Sequence, residues 1–327
     1  MRKQKMKKIL SLLAAGVLLL MSMSGCGKEA ETGKTQVAMI VKSTESAFFK
    51  SVFAGARAAA TEYNLNVTFN GPESEEDYVT QNEMVRQAME DGVDVIVFSA
   101  VDYNANAEII GQAAQRGIKI VVIDSDVNSS MVSCRIGTNN LQAGVKAAEA
   151  ALAVGEDELY IGIVNYDVNS ANGQQRELGF RQTVEQDPRV KDITTINVLS
   201  TTEDARAGAK EMLLSDSRIN VVVTFNEWTS LGVGWAIRDL DRADRIQVVA
   251  FDSNVVSVGM LETGEVDALI VQNPYAMGYL GVETAANLIN GQTGGPSVID
   301  TATTIVTREN MYERESQKIL FSFEERK

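Results

Sequence analysis

Short runs that are apolar at every position, separated by amphipathic stretches, recur along most of this chain and limit its fold more than any other feature. Val37-Ala38-Met39-Ile40-Val41 is the first such run. Continuous rather than alternating apolar character suits a strand covered on both faces, as in a parallel sheet flanked by helices. Further runs follow at Leu65–Phe69, Val93–Phe98, Ile118–Ile123 and Val132–Ile136, with helical patterns at about 48–63, 78–90 and 105–116 between them. A second series begins after Thr138. Its strands are expected at Leu159–Val164, Ile193–Leu199, Val221–Phe225, Gln247–Phe251 and Ala268–Val271, and its helices near 140–153, 172–186, 203–214, 227–240 and 254–262. A last helix, at about 275–290, ends in the turn chemistry of Gly291 to Pro296. Strands alternating with helices predict doubly wound α/β sheets, here in two similar lobes.

The first 26 residues carry a separate message. Arg2, Lys3, Lys5, Lys7 and Lys8 precede an apolar stretch from Ile9 to Met21, too short for a comfortable membrane span, which leads into Met23-Ser24-Gly25-Cys26. This is the pattern of an export leader. Ser24 and Gly25 before Cys26 resemble the lipobox of bacterial lipoproteins, although Met23 stands where Leu is usual. That resemblance implies cleavage after a leader at 1–25, a diacylglycerol on Cys26 and a polar tether over 26–35. The chain is then expected outside the cytoplasm, lipid-anchored at the outer face of the cell membrane or in the periplasm.

Composition narrows the function. The five basic residues of the leader are matched by no acidic ones, so its removal shifts the formal net charge from −14 to −19. Nucleic acid is therefore excluded as a partner, because phosphate binding needs clustered Lys and Arg. The chain has no histidine, which removes the commonest metal ligand and the commonest general base. No metal, cofactor or catalytic residue is expected. Asp124-Ser125-Asp126 alternates acids, but no calcium loop with a central Gly and a later bidentate Glu follows. With Cys26 assigned to lipid, Cys134 has no intramolecular partner and reads as a small buried residue of a strand.

In open parallel sheets, ligands sit beyond the carboxyl ends of the strands. The polar residues there are Lys42, Ser43 and Ser46; Ser99 and Asp102; Asp124, Ser125 and Asp126; then Asn165 with the segment to Arg176, Asn226 and Glu227, Asp252 and Asn254, and Gln272. Asp, Asn and Ser at such junctions also serve as helix N-caps. Phe48, Phe49 and Trp228 stand beside these positions, and flat aromatic faces suit sugar rings. An alternative chemistry, glycoside hydrolysis with Asp124 and Asp252 as the acid pair, uses carboxylates that a sugar site needs as acceptors in any case.

The segments Ile40 to Phe49, Val122-Ile123-Asp124-Ser125-Asp126, Arg176-Glu177-Leu178-Gly179-Phe180, Phe225-Asn226-Glu227 through Gly232, Ala250-Phe251-Asp252 and Val271-Gln272-Asn273-Pro274 through Ala285 resemble, in unbroken order, the ribose-binding-type periplasmic sugar receptors. The resemblance implies an α/β fold of two Rossmann-like, doubly wound parallel-sheet lobes joined by a three-crossover hinge, the type I periplasmic binding protein architecture. It implies crossovers near Gly137–Asn139, Gln272–Asn273 and Thr303–Thr304. One lobe then comprises 36–137 with 273–302 and the other 138–272 with 303–327, interleaved rather than tandem. It also implies a solute-binding lipoprotein, acting as a monomer and not as an enzyme, that delivers a monosaccharide or polyol to ABC permease subunits. A receptor of the same fold presenting its ligand to a sensor kinase or chemoreceptor is the alternative. A sugar-responsive repressor shares the core, but the leader replaces any DNA-reading helix pair.

Contact positions carried over by the resemblance are Lys42, Ser46, Phe48, Phe49, Asp124, Ser125, Arg176, Asn226, Asp252 and Gln272, to which the aromatic argument adds Trp228. Ribose receptors have Arg where Ser125 stands, Asn where Ser46 stands and a small polar residue where Lys42 stands. Lys42, Asn70-Gly71-Pro72, Ser99-Ala100-Val101 and Asp124-Ser125-Asp126 resemble receptors for autoinducer-2 and rhamnose instead. Yet Ser170-Ala171-Asn172-Gly173 lacks the adjacent Asp-Gln pair of the autoinducer-2 receptors, and Arg176, Asn226, Asp252 and Gln272 follow the ribose type.

Overall fold

A computed structural model describes residues 35–292 and 294–321. The expected leader, Cys26 and all of the tether but its last residue lie outside the described residues.

Two six-stranded sheets form the frame. The first contains β1 (Gln36–Ile40), β2 (Asn66–Asn70), β3 (Val95–Phe98), β4 (Lys119–Ile123), β5 (Cys134–Thr138) and β11 (Val298–Thr301), in the spatial order β11-β5-β4-β3-β1-β2. All of its strand pairs are parallel. The second contains β6 (Leu159–Asn165), β7 (Val190–Asn197), β8 (Val221–Thr224), β9 (Gln247–Phe251), β10 (Ala268–Val271) and β12 (Thr304–Thr307), in the order β12-β10-β9-β8-β6-β7. Here only β12 runs antiparallel to its neighbour. β3, β8 and β10 are buried at every position, the expected consequence of helices on both faces.

Ten helices cover these sheets among the described residues. On the first, α1 (Ala47–Glu62) and α9 (Pro274–Ile289) pack on one face, and α2 (Tyr78–Glu90) and α3 (Ala107–Gln115) on the other. On the second, α4 (Asn140–Leu152) and α5 (Ala171–Val184) share one face. α6 (Thr202–Ser215), α7 (Glu227–Leu240) and α8 (Val255–Thr263) take the other, with α10 (Arg314–Leu320) beside them.

The chain crosses between the sheets three times: from β5 to α4, from β10 to α9, and from β11 to β12. Two similar βα series thus exchange their last helices. Both exchanged helices are held by glycines at backbone contact. A Cβ on Gly278 of α9 would lie 1.9 Å from the Val52 carbonyl oxygen of α1, and one on Gly144 of α4 would lie 2.1 Å from that of Arg176 on α5. Only a residue without a side chain allows either approach. Gly144 thereby fixes the depth at which α5 presents Arg176.

Strand boundaries differ from the sequence reading at interior and edge strands alike: β5 runs Cys134–Thr138 rather than Val132–Ile136, and β3 starts at Val95 rather than Val93. β7 starts at Val190, three residues earlier than expected, because Lys191 and Asp192 face solvent and interrupt the apolar run. The edge strands β11, reading Val-Ile-Asp-Thr, and β12, reading Thr-Ile-Val-Thr, were not expected, because each holds only two adjacent apolar residues.

Candidate functional site

The carboxyl ends of both sheets meet at one small, half-open space with a cavity volume of about 20 Å³. The first lobe lines it with Lys42, Ser46, Phe48, Phe49, Glu75 and Asp124. The second contributes Tyr166, Asn172, Arg176, Asn226, Glu227 and Asp252, and the second crossover adds Gln272.

Two carboxylates occupy equivalent places, Asp124 just after β4 and Asp252 just after β9. Both adopt left-handed backbone, with φ of 54° and 68°, a conformation that Asp tolerates better than most residues. Asp124 Oδ2 accepts from Ser99 Oγ at 2.9 Å, and its Oδ1 accepts from Asn172 Nδ2 of the other lobe at 3.1 Å. Asp252 Oδ1 accepts from Gln272 Nε2 at 2.6 Å. Burial pushes the Asp252 carboxyl up to about 7, against the opposing pull of Arg176 and Gln272.

Arg176 is 1% exposed, and three of its five N–H groups are engaged. Its Nε donates to Asn140 Oδ1 at 2.9 Å, Nη1 to the Phe225 carbonyl at 2.6 Å and Nη2 to Gln272 Oε1 at 2.8 Å. The guanidinium lies over the Phe251 ring, 4.8 Å from its centroid. Thr138 Oγ1, at the first crossover, also donates to Gln272 Oε1 at 2.7 Å. Gln272 therefore ties two crossovers, the arginine and Asp252 into one network.

Lys42 lies 3.1 Å from Ser170 Oγ and 3.3 Å from Glu75 Oε2, with the Tyr166 ring 5.1 Å away. Burial works to discharge it, but Glu75, then Tyr166 and Asp124, hold its pKa above the usual ammonium value. Burial also pushes the Tyr166 hydroxyl up to about 12, so it stays protonated and donates to Asn172 Oδ1 at 2.6 Å. Four carboxylates and two cations thus face one small space, and the lysine is already matched by Glu75.

The capping and ligand readings of the strand-end residues turn out to be compatible. Ser46 Oγ accepts from Phe49 N at 3.1 Å, capping α1, and Asn226 Oδ1 accepts from Thr229 N at 3.0 Å, capping α7. Both still line the cavity. Of the eleven residues singled out from sequence, nine line it: Lys42, Ser46, Phe48, Phe49, Asp124, Arg176, Asn226, Asp252 and Gln272. Ser125 does not. It is 1% exposed, it lies outside the lining, and its Oγ has no hydrogen-bond partner among the described residues. Because Asp124 takes the left-handed turn toward the cavity, its neighbour is directed into the protein. Trp228 also lies outside, lining a larger adjoining groove of about 880 Å³, while its Nε1 donates to Glu75 Oε1 at 3.2 Å.

Glu75, Tyr166, Asn172 and Glu227 were not among the singled-out residues. The strand-end positions already named Glu227 beside Asn226 and spanned Tyr166 and Asn172 in the segment from Asn165 to Arg176, without singling them out as contacts. Asn172 lies in the first turn of α5. Glu75 sits five residues beyond β2, and no local signal marks it.

Three comparisons bear on this site. The periplasmic binding protein domain family matches residues 37–293. A D-ribose/D-allose-binding protein of Pseudomonas aeruginosa is 28% identical over 321 residues, covering 92% of this chain and 99% of the relative. Among solved structures, a carbohydrate transporter solute-binding protein of Agrobacterium radiobacter in complex with D-arabinose is 27% identical with a TM-score of 0.85, covering 88% of this chain and 99% of its own. An ABC transporter solute-binding protein of Agrobacterium vitis with bound D-fucose is 26% identical with a TM-score of 0.84, covering 88% and 100%.

Proposed function

Because the chain belongs to the periplasmic binding protein domain family, we propose that it captures an uncharged monosaccharide or polyol between its lobes and delivers it to an ABC permease. The observation that carries this reading is the convergence of hydrogen-bonding groups from both lobes on one small space that the Phe48 and Phe49 rings also line. Carboxylates accept from sugar hydroxyls, the unengaged N–H groups of Arg176 donate to hydroxyl or ring oxygens, and Asn226 and Gln272 are of mixed capability. An anionic sugar is disfavoured by four carboxylates against two cations. Ligand held by both lobes stabilises their approach, which is how a permease distinguishes filled from empty receptor.

The clamp halves in this reading are 36–137 with 273–302 and 138–272 with 303–327, joined to a lipid on Cys26 by a tether. The protein works outside the cytoplasm as a monomer, binds without turnover, and uses no cofactor. Calorimetry against D-ribose, D-allose, D-arabinose, D-fucose and D-tagatose tests the reading. Saturable binding to one or more of them is expected, and silence across the panel overturns it.

A further inference from the structure

Glu227 opens α7 in the second lobe, yet two of the three donors to its carboxylate come from the first. Ala47 N donates to Oε1 at 3.2 Å and Phe48 N to Oε2 at 3.1 Å, while Asn254 Nδ2 of its own lobe holds Oε1 at 2.9 Å. Ala47 and Phe48 begin α1, so their amides are among the orphan donors of a helix N-terminus, where negative charge is favoured. The next amide, Phe49 N, is capped by Ser46 within the first lobe. Three successive amides are therefore satisfied, the first two only from across the cleft. The carboxylate is 7% exposed, and burial raises its pKa against the opposing effect of Phe48, Asn254 and Ala47.

Resting on the sugar-capture reading, we propose that Glu227 is a closing and positioning residue. Its carboxylate fastens the N-terminus of α1 to the second lobe and so sets Phe48 and Phe49 against the sugar. Every bond of this fastening runs between protein groups, so it acts whatever sugar is bound. Glu75 reaches the opposite way, from the first lobe to Ser200 Oγ at 3.2 Å and Trp228 Nε1 at 3.2 Å. Glu76, through Ser200 N, and Asp124, through Asn172 Nδ2, reach the same way as Glu75, and Glu227 answers these first-lobe carboxylates from the second lobe.

Amide exchange followed by NMR on the full chain, without and with a binding sugar, tests this. In Glu227→Ala the Ala47 and Phe48 amides are expected to exchange about tenfold faster or more, as loss of charged hydrogen bonds implies. Phe49, capped within its own lobe, keeps its protection, and sugar dissociates about tenfold faster. Glu227→Gln retains one acceptor and gives an intermediate effect, which also carries the test if the alanine variant fails to fold. Unchanged exchange at Ala47 and Phe48 overturns the proposal. Faster sugar release with unchanged exchange also overturns it, since Glu227 would then act as a direct sugar contact. If no sugar binds but the two amides lose protection, the fastening stands and the sugar-capture reading falls.

Discussion

Asp124 and Asp252 end equivalent strands in the two lobes with the same left-handed turn, but their surroundings diverge. Asp124 is held by donors from both lobes, Ser99 and Asn172, so its second bond exists only when the lobes meet. Asp252 is held within its own lobe and hinge, by Gln272 with Arg176 nearby, and burial pushes it up to about 7. The repeated βα unit supplies the same carboxylate twice; packing gives one a bond that crosses between the lobes and leaves the other desolvated within its own lobe and hinge.

Several variants separate these roles, and Arg176→Ala is expected to have the largest effect. It unpairs Asn140, the Phe225 carbonyl and Gln272 in a buried network, so sugar binding should vanish and stability fall by about 3 kcal/mol or more in denaturant titration. Undiminished affinity would remove the arginine from the site.

Asp252→Asn tests the desolvated carboxylate. Sugar hydroxyls donate to the ionised form, so affinity of the wild type should fall about tenfold per pH unit below about 7, with proton release on binding. The variant should bind weakly and without that slope. The sign for stability is the reverse: a raised folded-state pKa contributes stability that is present at acid pH and lost as pH rises through about 7. Sugar-free Asp252→Asn should therefore melt above the wild type at pH 8 and lose that advantage near pH 4, as calorimetric scans would reveal.

Gly144→Ala sharpens the comparison from outside the cavity. A Cβ there meets the Arg176 carbonyl at 2.1 Å, so α5 must shift, and a loss of affinity on the order of tenfold is expected with little change for first-lobe variants. Asp124→Asn should accelerate sugar release, because an amide cannot accept from both Ser99 and Asn172, while leaving the pH slope in place. Ser125→Ala is the smallest, with affinity changed less than about threefold; a large loss would mean that this residue does reach the sugar.

Much of the frame was legible because strands buried on both faces are apolar through their centres: β3 and β10 are apolar at every position, and β1, β4, β8 and β9 at all but one end residue. Edge strands β7 and β11 were obscured by solvent-facing residues. The strand-end rule reached Lys42, Asp124, Arg176, Asn226, Asp252 and Gln272, since topology alone carries those positions to the sheet ends. Ser125, taken from the same positions, lies outside the cavity lining, and Trp228, added for its aromatic face, lines the neighbouring groove. The rule had no means of reaching Glu75, whose partners Lys42, Ser200 and Trp228 lie up to 153 residues away.

The sequence by itself determined two α/β sheets, the residues at their carboxyl ends and the acidic, histidine-free chemistry available there, because periodicity and composition are local properties. Only the tertiary structure decided which side chains meet across the cleft. Contacts such as those of Glu227 with Ala47 and Phe48, or Asn172 with Asp124, join segments that no local pattern relates, and they exist because three crossovers bring two separately buried cores face to face.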